Sequence, residues 1–157
     1  AYGAAMPATA TETRASRDEA EIRALVAAVQ RGHRDKDAAA IRAAYAEDVV
    51  TFDLAPPLRS VTDSDPDALQ GWLDTWDGPI ELLDRDLAIE IDGDLAFAHG
   101  FSRLSGRKRG EDKAVQLWVR LTLGLKRRDG AWRVVHEHTS VPFHMDGSFK
   151  AALDLEP

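Results

Sequence analysis

Hydrophobic positions along this chain change their spacing once, from helical in the first half to alternating in the second. Ile22, Leu25, Val26 and Val29 recur at helical intervals behind Ser16-Arg17-Asp18-Glu19. That serine and glutamate have the spacing of a capping box, so a helix of about four turns is predicted, fraying near Gly32. Asp37 caps a short second helix through residues 38–46, with Ile41 and Tyr45 on one face. Residues 49–53 read as a brief strand closed by Pro56-Pro57, which cannot donate to a ladder. Asp65-Pro66-Asp67 starts a third helix, whose Leu69, Trp72, Leu73 and Trp76 form one stripe before Gly78-Pro79 stops it. From Ile80 onward the period is two. Leu87, Ile89 and Ile91 lead into an Asp92-Gly93 hairpin, a returning strand over 95–104 and a basic loop over 106–110. A long strand over 114–126 then puts Leu117, Val119, Leu121, Leu123 and Leu125 on one face and Gln116, Trp118, Arg120 and Thr122 on the other. Asp129-Gly130 turns the chain into a last strand starting at Trp132. Three helices followed by an antiparallel meander predict an α+β fold in which long strands curl around the helices and leave a cleft between the layers.

Composition narrows the functional classes. A chain of 157 residues suits one core, with 1–15 as a tail, 16–146 as the domain and 147–157 as a C-terminal extension. The net charge of −7 argues against a nucleic-acid surface, and the cluster Arg103, Arg107, Lys108 and Arg109 reads as a solvated loop. Cysteine is absent, which excludes disulfides, thiol nucleophiles and thiolate metal sites. No apolar run approaches the roughly 20 residues that span a bilayer. The first residues lack the basic start and apolar block of a secretion signal, so a cytoplasmic protein is expected.

Chemistry concentrates at the end of the chain. Strict alternation puts Trp132, Val134, His136, His138 and Ser140 on one strand face, and Arg133, Val135, Glu137, Thr139 and Val141 on the other. A His-x-His pair with His99 on a neighbouring strand lacks the further acids a metal needs. The expectation is therefore no metal and no cofactor, with one histidine bonded within the sheet and another relaying protons in a pocket. His99 shares its face with Leu95, Phe97 and Phe101, as a bonded core residue or a site residue. Arg120, beside Trp118, binds an anionic substrate or a carboxylate, or else pairs across strands on the outer face. Trp72, Trp76 and Tyr45 are core residues or apolar pocket walls. His33 and His144 fall in expected loops. Which sheet face lines the cleft stays open.

The order of elements, the segment Tyr-Ala-Glu-Asp-Val-Val-Thr-Phe-Asp at 45–53 and the closing Trp-Arg-Val-Val-His-Glu-His-Thr-Ser resemble the nuclear transport factor 2-like superfamily, and within it the SnoaL-like and ketosteroid isomerase-like group. The resemblance covers roughly residues 18–145. It implies a cone of three helices on a strongly curved antiparallel sheet, a pocket for a small hydrophobic molecule, and homodimers formed through the outer sheet face. It also places Asp53, which otherwise reads as a turn acid capping amides before Pro56-Pro57, where the isomerases carry their proton-shuttling aspartate. Their oxyanion tyrosine falls on Val29, and their second donor falls near residues 118–122, where no acid is present, so steroid isomerisation is not expected. Scytalone dehydratase-like members use an aspartate with two histidines. The combined expectation is a cofactor-free acid–base enzyme (isomerase, cyclase or dehydratase) with Asp53, His99, His136 and His138 as proton-handling residues. Tyr45, Trp72, Trp76, Trp118 and Arg120 would bind its substrate. The alternative is a dimeric ligand-binding module without chemistry.

Overall fold

The computed structural model describes residues 13–61 and 67–157. Asp65 and Pro66, and residues 1–12 of the expected tail, lie outside the described residues. The elements are α1 (Arg14–Asp35), α2 (Ala38–Arg42), β1 (Tyr45–Phe52), β2 (Ser60–Val61), α3 (Ala68–Asp74), β3 (Glu81–Asp92), β4 (Leu95–Gly106), β5 (Val115–Arg128) and β6 (Ala131–Ser140). The first helix begins earlier than the capping box predicts. Thr13 is the cap, its hydroxyl accepting from the Ser16 amide at 3.2 Å. At the other end Lys36, in a left-handed conformation, donates its amide to Gly32 and His33, so the helix runs past Gly32 instead of fraying there.

The second helix stops at Arg42, before Tyr45, which opens β1 instead of sharing a helical face with Ile41. The reason is tertiary. The amide of Val134 on β6 bonds Ala44 O at 3.0 Å, and Tyr45 lies opposite Val134 in the ladder. The pull of a sheet partner outweighs the helical preference of the preceding alanines.

One six-stranded sheet carries the fold, in the order β2-β1-β6-β5-β4-β3. β3 to β6 form the expected meander, whereas β1 joins β6 in parallel, so the sheet is mixed rather than wholly antiparallel. Two bulges bend it. Between Arg85 and Ala88, β3 advances three residues while β4 advances two, from Phe101 to His99, and Asp86 there has φ 55°. Between Val134 and His136, β6 advances two residues while β5 advances one, from Leu125 to Gly124. An extra residue in one strand increases its bend and reverses the alternation beyond it.

The main core lies between α1 and the wide end of the sheet, where Ile22 packs with Ala98, Leu123, Leu125, Trp132 and Val134. A second cluster joins Ala38, Ile41, Leu73, Trp76 and Ile80 under α3. Buried Asp18, 3% exposed, ties α1 to the sheet by accepting from Arg127 at 2.6 Å and from the Trp132 indole at 3.4 Å. The basic loop after β4 is not merely solvated. Its Arg107 carbonyl accepts from the Asp77 amide at 2.7 Å, and Arg109 donates to Asp74 O at 2.6 Å, so it clasps the C-terminal end of α3 where cations suit the helix dipole.

Candidate active site

A cavity of about 630 Å³ opens between the helices and the concave face of the sheet. That volume lies within the roughly 300–1,000 Å³ usual for small-molecule sites. Leu117, Val119, Leu121 and Leu123 of β5 form its floor, so the leucine row faces inward and the Trp118/Arg120 row outward. Val26 and Val29 of α1 form the opposite wall. The apolar majority excludes water, which strengthens whatever polar groups remain.

Those polar groups converge from several elements. Tyr45 at the start of β1 donates its hydroxyl to Glu137 Oε2 of β6 at 2.7 Å. Glu137 borders the cavity and is therefore half-buried as a residue, but its carboxyl has protein on almost every side. Burial, joined by the charges of Asp53 and Asp84, raises its pKa above the usual glutamate value. Burial, together with the Glu137 charge, pushes the Tyr45 phenol well above its ordinary value, so it stays a proton donor. Asp84 of β3 is likewise raised by burial, partly offset by hydrogen bonds from Ser102 and Gln30. His33 lines the cavity from α1, with Nδ1 2.8 Å from Val29 O. Desolvation lowers its pKa, keeping the ring neutral. A carbonyl accepts only from a protonated Nδ1, which leaves Nε2 as an acceptor. Asp53, just beyond β1, is exposed and sits on the cavity wall, close enough for its charge to act on Tyr45 and Glu137.

Of the residues singled out in the sequence, the cavity receives Asp53, Tyr45 and Trp72. Trp72 is 37% exposed, and Lys108 lies 5.4 Å from its ring centre. Trp76 sits 3% exposed in the second core cluster, beneath Lys108 at 4.3 Å. The expectation that His136 and His138 continue the face of Trp132 and Val134 fails at the β6 bulge. Both rings lie instead on the convex face against Phe52, with centres 4.8 and 5.4 Å away, and His136 Nδ1 bonds Val50 O at 2.8 Å. His99 is on that face too, stacked on Phe97 with centres 6.1 Å apart. Arg120 donates to Ser140 Oγ at 3.0 Å, and Trp118 lies under Arg85 at 4.7 Å, again outside the cavity. None of these five residues lines the cavity. Among the described residues, no three His, Asp or Glu side chains are grouped to hold a metal ion.

Glu137, Asp84 and His33 were not recognised in the sequence. A straight β6 puts Glu137 opposite Val134, and a straight β3 that turns Leu87, Ile89 and Ile91 inward puts Asp84 outward. The two bulges reverse both. His33 follows Val26 and Val29 at helical spacing, so a longer first helix would have placed it on their stripe.

The comparisons agree with this architecture. The family model of the SnoaL-like domain matches residues 22–144. An NTF2-like protein of unknown function from Pseudomonas putida KT2440 is 34% identical, covering 90% of this chain and 98% of its own, with a TM-score of 0.77. A protein from Novosphingobium aromaticivorans DSM 12444, provisionally named a scytalone dehydratase, is 15% identical over 87% of this chain and 91% of its own, at a TM-score of 0.70. A provisionally named dehydratase of the NTF2-like family from Streptomyces avermitilis is 13% identical over 79% of this chain and 95% of its own, at 0.67. The last two show likeness of fold alone. Among curated proteins none matches. With its helices packed on a curved, open sheet and its family model spanning most of the length, the chain belongs to the SnoaL-like family of the nuclear transport factor 2-like superfamily.

Proposed function

We propose that this protein is a cofactor-free acid–base enzyme acting on a small hydrophobic carbonyl or hydroxyl compound, with the Tyr45–Glu137 pair at its centre. The observation that carries the reading is the 2.7 Å hydrogen bond between a part-buried tyrosine and a part-buried glutamate on the wall of a largely apolar cavity. A glutamate whose pKa burial raises is suited to exchange protons with a substrate carbon or hydroxyl. Tyr45 orients the carboxyl and keeps a proton beside it. Asp53, at the cavity wall, is a second proton carrier within the electrostatic reach of the pair. The dehydratase names of two fold neighbours accord with this class without specifying it.

Exchange of hydrogen for deuterium at the carbon next to the carbonyl of small cyclic ketones, followed by mass spectrometry in D₂O, tests this directly. Wild-type protein is expected to accelerate exchange, and E137Q to lower the rate at least ~100-fold, the smaller end of what general-base catalysis supplies. Ligand binding with no exchange on any ketone would instead support a non-catalytic binding module, which the Val29 wall opposite the sheet favours.

We also infer that copies of the chain pair through the convex face of the sheet. Phe97 is 50% exposed and Leu83 46%, with Phe52, Phe101 and Trp118 on the same side. Exposed apolar surface of this kind marks a site of association.

A further inference from the structure

Three carboxyl groups and one guanidinium border the cavity. Glu137, Asp84 and Asp53 are acids, and His33 is a neutral ring with its Nε2 lone pair free of the Val29 bond. The Tyr45 hydroxyl already donates to Glu137. The second Glu137 oxygen has no hydrogen-bond partner among the described residues, and Glu137 borders the cavity. That oxygen is available on the cavity side, where a ligand that donates to it is favoured.

Charge points the same way. The charges acting on Glu137 are those of Asp53 and Asp84, both of its own sign. Arg42 also borders the cavity, as one cation facing the three acids. Three acids against one arginine leave the lining net negative, which disfavours an anionic ligand and favours a cation. Most of the remaining wall is aliphatic or aromatic, which suits a hydrophobic body.

We propose that the ligand of this cavity is a hydrophobic amine, bound as its ammonium cation by Asp84 and the free oxygen of Glu137. Asp84 is the anchor, because Ser102 and Gln30 beside it favour its charged form. Glu137, already paired with Tyr45, faces the same cation from β6. The hydrocarbon part of the ligand packs on Leu117, Leu121 and Val29.

The proposal deepens the enzymatic reading and rests on the same cavity, but its test does not need turnover. Calorimetric titration with 2-aminoindane, 2-indanol and indane-2-carboxylate at pH 7 compares one carbon frame carrying positive, neutral and negative groups. The amine is expected to bind at least tenfold more tightly than the alcohol, and the carboxylate not at all. D84N is expected to weaken the amine at least tenfold while leaving the alcohol within twofold. Equal binding of amine and alcohol, binding of the carboxylate, no response to D84N, or no binding of any of the three would overturn it. If D84N does not fold, the comparison of the three ligands on wild-type protein decides alone. Amine binding without ketone exchange leaves this proposal standing and defeats the enzymatic reading. Ketone exchange without amine binding does the reverse.

Discussion

Glu137 holds its proton to higher pH in the folded protein than in the unfolded chain, because burial and two neighbouring acids oppose its charge. The sign of the effect on stability follows. As pH rises past the ordinary glutamate range the unfolded chain releases this proton first, so folding is progressively penalised until the folded pKa is passed. Gln at this position is neutral at all pH values and can still accept from Tyr45. E137Q is therefore expected to melt higher than wild type at pH 8, by roughly 2–4 °C, the scale on which about 1 kcal/mol moves a domain of this size. At pH 4, where the acid is largely protonated in both states, the two should melt together. Thermal denaturation followed by circular dichroism at both pH values checks this, and an E137Q protein that is less stable at pH 8 would show that the acid is structural. Residue identity alone could not reveal it: of the two acids that face the cavity from its strands, neither occupies a position that plain alternation would assign to the interior.

At the level of elements, the bulges do the positioning. In β3 the inward set changes from Leu82 and Asp84 to Leu87, Ile89 and Ile91, and in β6 from Trp132 and Val134 to Glu137 and Thr139. Each strand thus offers apolar residues to the core at one end and an acid to the cavity at the other. Gly100 lies opposite the β3 bulge, where an added Cβ would stand 3.0 Å from Arg85 O and from Leu87 Cα. Both are backbone atoms, so the strand itself would have to yield. G100A is expected to destabilise the fold by about 1–3 kcal/mol, the usual cost of overpacking. Urea titration measures it, and an unchanged midpoint would mean the bulge is freely deformable. The helices were easier to anticipate, since their stripes survive in the structure as the Ile22 and Leu73 clusters. Their ends were not, because Thr13, Lys36 and the Ala44–Val134 contact depend on partners that a helical period does not encode.

The whole molecule separates two surfaces by the two faces of one sheet. The concave face encloses the acids, and the convex face displays Phe97, His99, His136, His138, Trp118 and Arg120. If that outer face joins two copies, F97E places a charge in the contact without touching the cavity. Sedimentation equilibrium is expected to show a dimer for wild type and a monomer for F97E, with the melting profile of the isolated fold retained. A monomeric wild type would refute the pairing. Among the described residues no helix is long and apolar enough to cross a membrane.

Local physics was enough to determine the helical stripes, the hairpins at Asp92-Gly93 and Asp129-Gly130, the leucine row of β5 and hence the class of the fold. Each depends on spacing or on a turn residue's own conformational preference, and both are written along the chain. Which face of each strand meets the cavity was decided only in three dimensions. A bulge arises where two strands of unequal local length must stay paired, and the resulting exchange of inside for outside put Glu137 and Asp84 in the cavity and the paired histidines outside it.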